Sequence, residues 1–504
     1  MKLHRISEGV ESHREFTHSF TKVPLYALNG YFNIDELISL THTHKFFAKL
    51  CCVVAVDLSI FSRYSRYLNY IKISKQFPKV RFVIEECYNT IPWPPLFSKH
   101  ITSLDLSNHA DPRSIAPLSN LTSLRLDGHS RSIKTEILAN LTKLVCLSLR
   151  YNNKISGSIL RRLSSLRILN LDSNAVITAD DIKTMKLEYL SMVNNSTLTP
   201  DFKRMTLTRL NIDRGLLVRL GDELIHCTTI KHLDIREIRD GYYKSHSEKL
   251  IWPKKLTFLE ELTLDLVPET NFGDYLNKLT FLEYKNSLET HCDSNPRCPS
   301  TLRTLIIKGK MPCFSDYYPV SLTHLEISDI YGQGFQWDGK SSYCDLINLT
   351  HLQLSNTPFD YLGGLDNLKT LILYTITMPK RPIDIYGLKS LKSLKISGGN
   401  FYYFENRGGL QRSESLESLT IDTHNSPMND DLLLTFPGVK YIYLGSISCK
   451  DVTGSCFKDL PNLFFLEIPK DENNLDKGCL ESLRARDIII RYIPKAYDFN
   501  YPNT

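Results

Sequence analysis

At 504 residues and 58.0 kDa the chain exceeds the roughly 250–300 residues at which a single core stops growing, so it is either several domains or one elongated repeat. A hydrophobic content of 42% and a charged content of 23% exclude wholesale disorder. The net charge of +6 is nearly confined to residues 1–80, which hold 11 Lys/Arg against 6 Asp/Glu; the remaining 50 against 49 exclude a body that tracks phosphates, and with it a nucleic-acid partner.

In chain order, residues 1–20 read as a tail of mixed charge with no apolar stretch of the kind an export signal needs. From Lys22 the apolar spacing turns helical. Pro24 fits a first turn, with Leu25, Leu28, Tyr31 and Phe32 following on one face. Gly30 with Asn33 closes that helix, and Asp35 and Glu36 favour the start of a second through Leu37, Ile38 and Leu40. Thr43 is placed to cap a third through Phe46, Phe47 and Leu50. The segment Phe46–Phe61 is shorter than the roughly 20 residues of a membrane span and carries Lys49 and Asp57, so no membrane association is expected. Twelve cysteines without a repeated spacing point to a reducing compartment: a cytoplasmic location is expected, with the nucleus left open.

The three short helices resemble the F-box. Val23-Pro24 stands for its opening Leu-Pro, Asp35 and Leu37 for the Asp-Leu of its second helix, and His44-Lys45-Phe46 with Leu50 for its basic-aromatic third. The acidic residue that usually follows the opening is replaced by Leu25-Tyr26. The resemblance implies that residues 21–79, an F-box-like helical module and linker, dock the Skp adaptor of a cullin-RING ubiquitin ligase. Val23, Pro24, Leu25, Leu28, Asp35, Leu37, Phe46 and Leu50 would make that contact. Taken by themselves, the same helices are also explained as a cap that shields a repeat array from solvent.

After residue 80 one phrase recurs, L-x-x-L-x-L with Ile, Val or Met allowed. It runs from ITSLDLSN at Ile101 through LRILNLDSN at Leu166 and LTHLQLSN at Leu349 to LFFLEIP at Leu463. Its second apolar residue falls at 104, 124, 147, 169, 190, 210, 233, 262, 305, 325, 352, 371, 394, 419, 442 and 466, mostly 19 to 25 apart. A degenerate copy is centred on Leu282, and VRFVIEE from Val80 reads as an edge or capping strand. Sixteen matches in register resemble the leucine-rich-repeat family over residues 80–490, in about 17 repeats, with 491–504 as a tail. The expected fold is an α/β leucine-rich-repeat solenoid. Strand alternation buries the second and third apolar positions, and a curved parallel sheet lines the concave face. NLT at Asn120, Asn140 and Asn348 matches the glycosylation sequon, but the repeat phrase produces it without any glycan.

The alternation also selects the outward residues. In the N-terminal half these are Asp105, Arg125, Asp127, Arg150, Asn170, Asp172, Asn211, Asp213, Asp234, Arg236 and Asp265, a mostly acidic column. In the C-terminal half Tyr374, Lys395, Tyr441, Tyr443, Phe465 and Glu467 form the expected partner-binding surface, because aromatic anchors carry much of the binding energy of interfaces. The plain alternative is that Tyr and Phe merely suit exposed strand positions.

No P-loop, nucleophile elbow or metal spacing appears. His42-x-His44 lacks a third ligand, and Cys292 with Cys298 makes only a pair. No cofactor and no enzymatic activity are expected. Two readings stand: a substrate receptor of a ubiquitin ligase, monomeric by itself, that holds an unidentified target protein near another protein's active site, and a recognition or scaffold protein whose N-terminal helices only cap the solenoid.

Overall fold

The computed structural model describes residues 53–57, 81–85, 95–106, 115–128, 135–236, 256–265, 275–286, 298–309, 318–328, 343–356, 362, 364–374, 388–398, 413–422, 428–445, 451–469, 475 and 477–493. The chain divides into two compact units, residues 1–229 and 230–504. Each is a file of parallel strands in which every strand pairs with its sequence neighbour.

In the first unit the strands are β1 (Val53–Asp57), β2 (Arg81–Glu85), β3 (Ile101–Asp105), β4 (Ser123–Arg125), β5 (Cys146–Ser148), β6 (Ile168–Asn170), β7 (Tyr189–Ser191) and β8 (Arg209–Asp213). Leu104, Leu124, Leu147, Leu169, Leu190 and Leu210 stand opposite one another in this order. All are at most 1% exposed, so the second apolar position of each phrase is a continuous buried row, each Leu contributing about 1.5–3 kcal/mol.

The second unit holds β9 (His232–Arg236), β10 (Glu261–Leu264), β11 (Phe281–Asn286), β12 (Thr304–Gly309), β13 (His324–Ser328), β14 (His351–Ser355), β15 (Thr370–Tyr374), β16 (Ser393–Ser397), β17 (Ser418–Asp422), β18 (Tyr441–Leu444), β19 (Phe465–Pro469) and β20 (Ile489–Ile493). The row from Leu233 through Leu262, Leu282, Leu305, Leu325, Leu352, Leu371, Leu394, Leu419 and Ile442 to Leu466 is again in register.

Two boundaries differ from the sequence reading. β1 pairs in register with β2, so the ladder reaches Val53, inside the segment assigned to the linker, and the strand from Arg81 is flanked on both sides rather than at the edge. At the other end β20 pairs with β19 and carries the ladder to Ile493, past the expected limit of 490. Both added strands are apolar but lack the L-x-x-L-x-L phrase. The F-box-like helices lie outside the described residues.

Most phrases are entered by a tight turn, in which the amide of the first apolar residue donates to a carbonyl three residues back, as in Leu121 to Leu118, Leu144 to Leu141 and Leu391 to Leu388. In these three turns both partners are buried leucines, which sets the chain direction into the strand. In the NLT phrases the Asn120 and Asn348 amides donate back to the carbonyls of Lys99 (2.8 Å) and Val320 (3.0 Å). The Thr hydroxyls of Thr122 and Thr350 do the same toward Thr102 (3.0 Å) and Thr323 (2.9 Å). These side chains tie successive coils together, and that is a sufficient reason for the phrase.

The return segments mix single helical turns with longer helices. The longest among the described residues of the first unit, α1 (Arg214–Leu224), starts where Asp213 accepts the Leu216 amide at 2.9 Å, and it buries Leu216, Leu217, Leu220 and Leu224 at helical spacing. In the second unit α2 (Asp430–Leu433) is capped by Asn429, and α3 (Lys477–Ala485) packs toward the tight helical segment Ser455–Asp459.

Candidate functional site

The acidic column expected to face a partner in the N-terminal half is largely not a surface. Asp127, Asp172, Asn211 and Asp213 are buried. The strands β4–β7 are three residues long, and the chain turns directly after them, so period-two alternation has ended by the residue that follows the third apolar position. Its carboxylate then caps the next coil. Asp127 accepts from the Ser148 hydroxyl and the Arg150 amide (3.1 Å), and Asp172 from the Ser191 hydroxyl (2.6 Å) and the Val193 amide (2.8 Å). Asp213, the last residue of β8, reaches the other way and accepts the Asn194 amide of the coil before at 2.6 Å. Of what stays open, Arg125 pairs with Asp105 and Asp127, and in the second unit Arg236 pairs with Asp234.

Next to this column runs a second device. Asn152, Asn174 and Asn195 are at most 1% exposed, and each amide reaches back to a backbone carbonyl of the coil before. Asn152 donates to Leu126 (2.9 Å), Asn174 to Leu149 (3.2 Å) and Asn152 (2.5 Å), and Asn195 to Leu171 (3.0 Å) and Asn174 (2.6 Å). The residue just before each, Tyr151, Ser173 or Asn194, has positive φ, and Gly128 holds the same place in its own repeat at φ +82.

In the second unit the strand face is a surface. Burial alternates along β12–β17, with the apolar file inward and the intervening side chains partly exposed. The six residues expected to meet a partner lie on this one face, over β15, β16, β18 and β19, a span of about 19 Å at 4.8 Å per strand. Lys395 Nζ stands 5.1 Å from the centre of the Tyr374 ring, a cation–π contact between adjacent strands. Tyr443 and Phe465 are 5.3 Å apart, ring to ring, and Tyr441 meets Phe464 edge-on at 6.1 Å.

Glu467, beside this aromatic group, is bridged to Arg491 of β20 at 3.1 Å. Tyr441, Phe465 and Ile489 stand opposite one another across β18–β20. Tyr441 is 38% exposed, Phe464 51% and Ile489 44%, a row of apolar side chains left open at the end of the ladder. Phe464 and Ile489 escape period-two reasoning, the first because it precedes its strand and the second because its strand lacks the phrase.

A further cluster on the same face was missed. His324 on β13 and His351 on β14 are register partners, their rings stacked at 4.1 Å and parallel to within 1°. Glu326, two residues on from His324, takes a hydrogen bond with His324 Nε2 at 2.7 Å. Desolvation, and then the neighbouring His324, hold the His351 imidazole below its ordinary range, opposed by Glu326. The signal was present in the phrases LTHLEIS and LTHLQLS, which set His at the same repeat position twice in succession. Of the sequence-level metal candidates, His42, His44 and Cys292 lie outside the described residues, and burial pushes the Cys298 thiol up to about 12.

One short parallel strand per repeat, a continuous leucine file and a capping asparagine row define a solenoid of the leucine-rich-repeat type. No protein-family profile matches the chain, and no curated protein matches it. Among solved structures it is similar to a leucine-rich-repeat protein of Leptospira interrogans, at 20% identity over 80% of this chain and 100% of that one, with a TM-score of 0.42. It is also similar to the TLR13–ssRNA13 complex, at 16% identity over 87% and 67% and a TM-score of 0.47. A circular leucine-rich-repeat protein shares 14% identity over 82% and 64%, with a TM-score of 0.37. These similarities concern the fold alone.

Proposed function

We propose that the chain is a non-catalytic recognition scaffold that binds a protein partner through the exposed strand face of residues 230–504. The observation that carries this reading is the open apolar row Tyr441, Phe465 and Ile489, joined by Tyr443 and Phe464 and bordered by Lys395 and the Glu467–Arg491 pair. Large aromatic side chains on a rigid ladder lose little conformational entropy when covered, and a charged border around an apolar centre is the usual anatomy of a specific interface.

A photo-crosslinking residue in place of Tyr443 in the full chain tests it, with the same residue in place of exposed Lys389 as control. The expected result is a discrete protein adduct from position 443 that disappears on Phe465→Ala. Adducts of equal yield and pattern from both positions reject the reading.

Adaptor docking by residues 21–79 is a separate, finer proposal, supported by the F-box-like order from Val23-Pro24 to Leu50. Mixing purified Skp adaptor with the full chain should give a complex that Pro24→Ala with Leu37→Ala abolishes. No complex with the unaltered chain would reject it.

A further inference from the structure

The cluster on β13 and β14 is built from three groups that ligate metals. Two imidazoles and a carboxylate are the donor set that zinc takes from proteins, at about 2.0–2.2 Å per bond. Their donor atoms, one from each of His324, Glu326 and His351, all lie within 4.8 Å of one another. A tetrahedral ion with such bonds holds its donors about 3.3 Å apart, so closing around one asks for movements of about an ångström. The imidazole torsions that would supply them are broad and soft.

The backbone does the rest of the positioning. Parallel pairing fixes His324 opposite His351, and alternation brings Glu326 to the same face two residues along. Thr304 and Thr370 flank the histidine pair in register, while Ile306 and Gln353 flank Glu326. No other cation-binding group of three or more His, Cys, Asp or Glu is found among the described residues. The cluster also stands clear of the aromatic row of β18–β20.

We infer that His324, Glu326 and His351 form a binding site for one divalent transition-metal ion of the zinc class on the exposed strand face, with an open coordination position directed to solvent. Three protein ligands leave room for water or for a donor from another molecule, the pattern of a zinc site that is not closed. The inference rests on strand register and donor chemistry alone, and holds whether or not the aromatic row meets a partner.

The full chain, stripped with EDTA and kept reduced, is titrated with Zn2+ against a chromophoric chelator and separately with Co2+. The expected result is one more bound ion per chain in the wild type than in His324→Ala/His351→Ala. Cobalt should show visible d–d bands without thiolate charge transfer. Glu326→Gln, which keeps the size of the side chain, should weaken binding at least tenfold. All three side chains project outward, so circular dichroism of the variants should match the wild type. Equal stoichiometry and affinity in wild type and double variant overturn the inference, as does a cobalt spectrum of thiolate character that the double variant retains.

Discussion

Asn174 offers the sharpest test of how the first unit is held together. Its side chain is fully buried and makes four hydrogen bonds. Nδ2 donates to the carbonyls of Leu149 (3.2 Å) and Asn152 (2.5 Å), and Oδ1 accepts the amides of Val176 (3.1 Å) and Ile177 (3.0 Å). Asn174→Ala removes all four at once. Each is worth about 0.5–1.5 kcal/mol net, and a buried group left without a partner costs about 1–3 kcal/mol, so the expected loss is about 3–5 kcal/mol. Asn153 is the control. It is exposed and makes one comparable contact, Oδ1 to the Ala175 amide at 2.7 Å, so Asn153→Ala should cost under about 1 kcal/mol. Asn174→Asp should be at least as damaging as Ala, because it keeps both acceptors but points negative charge at two carbonyls. Urea unfolding gives the midpoints, and amide exchange at Val176 and Ile177 should quicken by about a hundredfold or more if opening is local. An Asn174→Ala midpoint indistinguishable from that of Asn153→Ala would refute the account.

Three further outcomes follow from other parts of the ladder. Ala at both Tyr441 and Tyr443 should leave the stability within about 1 kcal/mol of wild type, whereas Ile442→Ala, at a fully buried position between them, should cost about 2–4 kcal/mol. Thermal scans of the two variants decide it. Gly128→Ala should destabilise by about 1 kcal/mol in chemical denaturation, since φ +82 places a Cβ in an unfavourable region. Burial tends to raise the Asp430 carboxyl, but donors from Thr453, Cys456, Gly454 and Ser455 outweigh it and hold the group below its ordinary value of 3.8. A lowered folded value means stability present above about 3.8 and lost as pH falls through it. Asp430→Asn should therefore lower the urea midpoint at pH 7, and the gap to wild type should narrow below about pH 4.

Much of the ladder was legible because one physical rule generates it. Leu104 through Leu466 occupy the inward row at the positions their spacing implies, since a buried parallel strand leaves no latitude in register. The rule failed where its premise did. At Asp127 and Asp172 the strand has already ended, and Asp213 closes its strand as the cap of α1, so turn and cap chemistry decide instead of alternation. At Val53–Asp57 and Ile489–Ile493 the strands are apolar without the full phrase, and only pairing reveals them. His324 and His351 are invisible to ligand spacings close in sequence, because the ladder makes neighbours of residues 27 apart. The face bearing Tyr374, Lys395, Tyr441, Tyr443, Phe465 and Glu467 was readable as geometry; what meets it is encoded in another molecule.

The alternation along each strand of the second unit separates two sets of demands that most folds mix. One side chain in two answers to the interior, where Leu and Ile are nearly obligatory; the next answers only to whatever approaches from outside. Drift or selection can rewrite the outward letters coil by coil while the stacking beneath stays intact. A change of target then requires few substitutions, and none of them need weaken the scaffold that presents them.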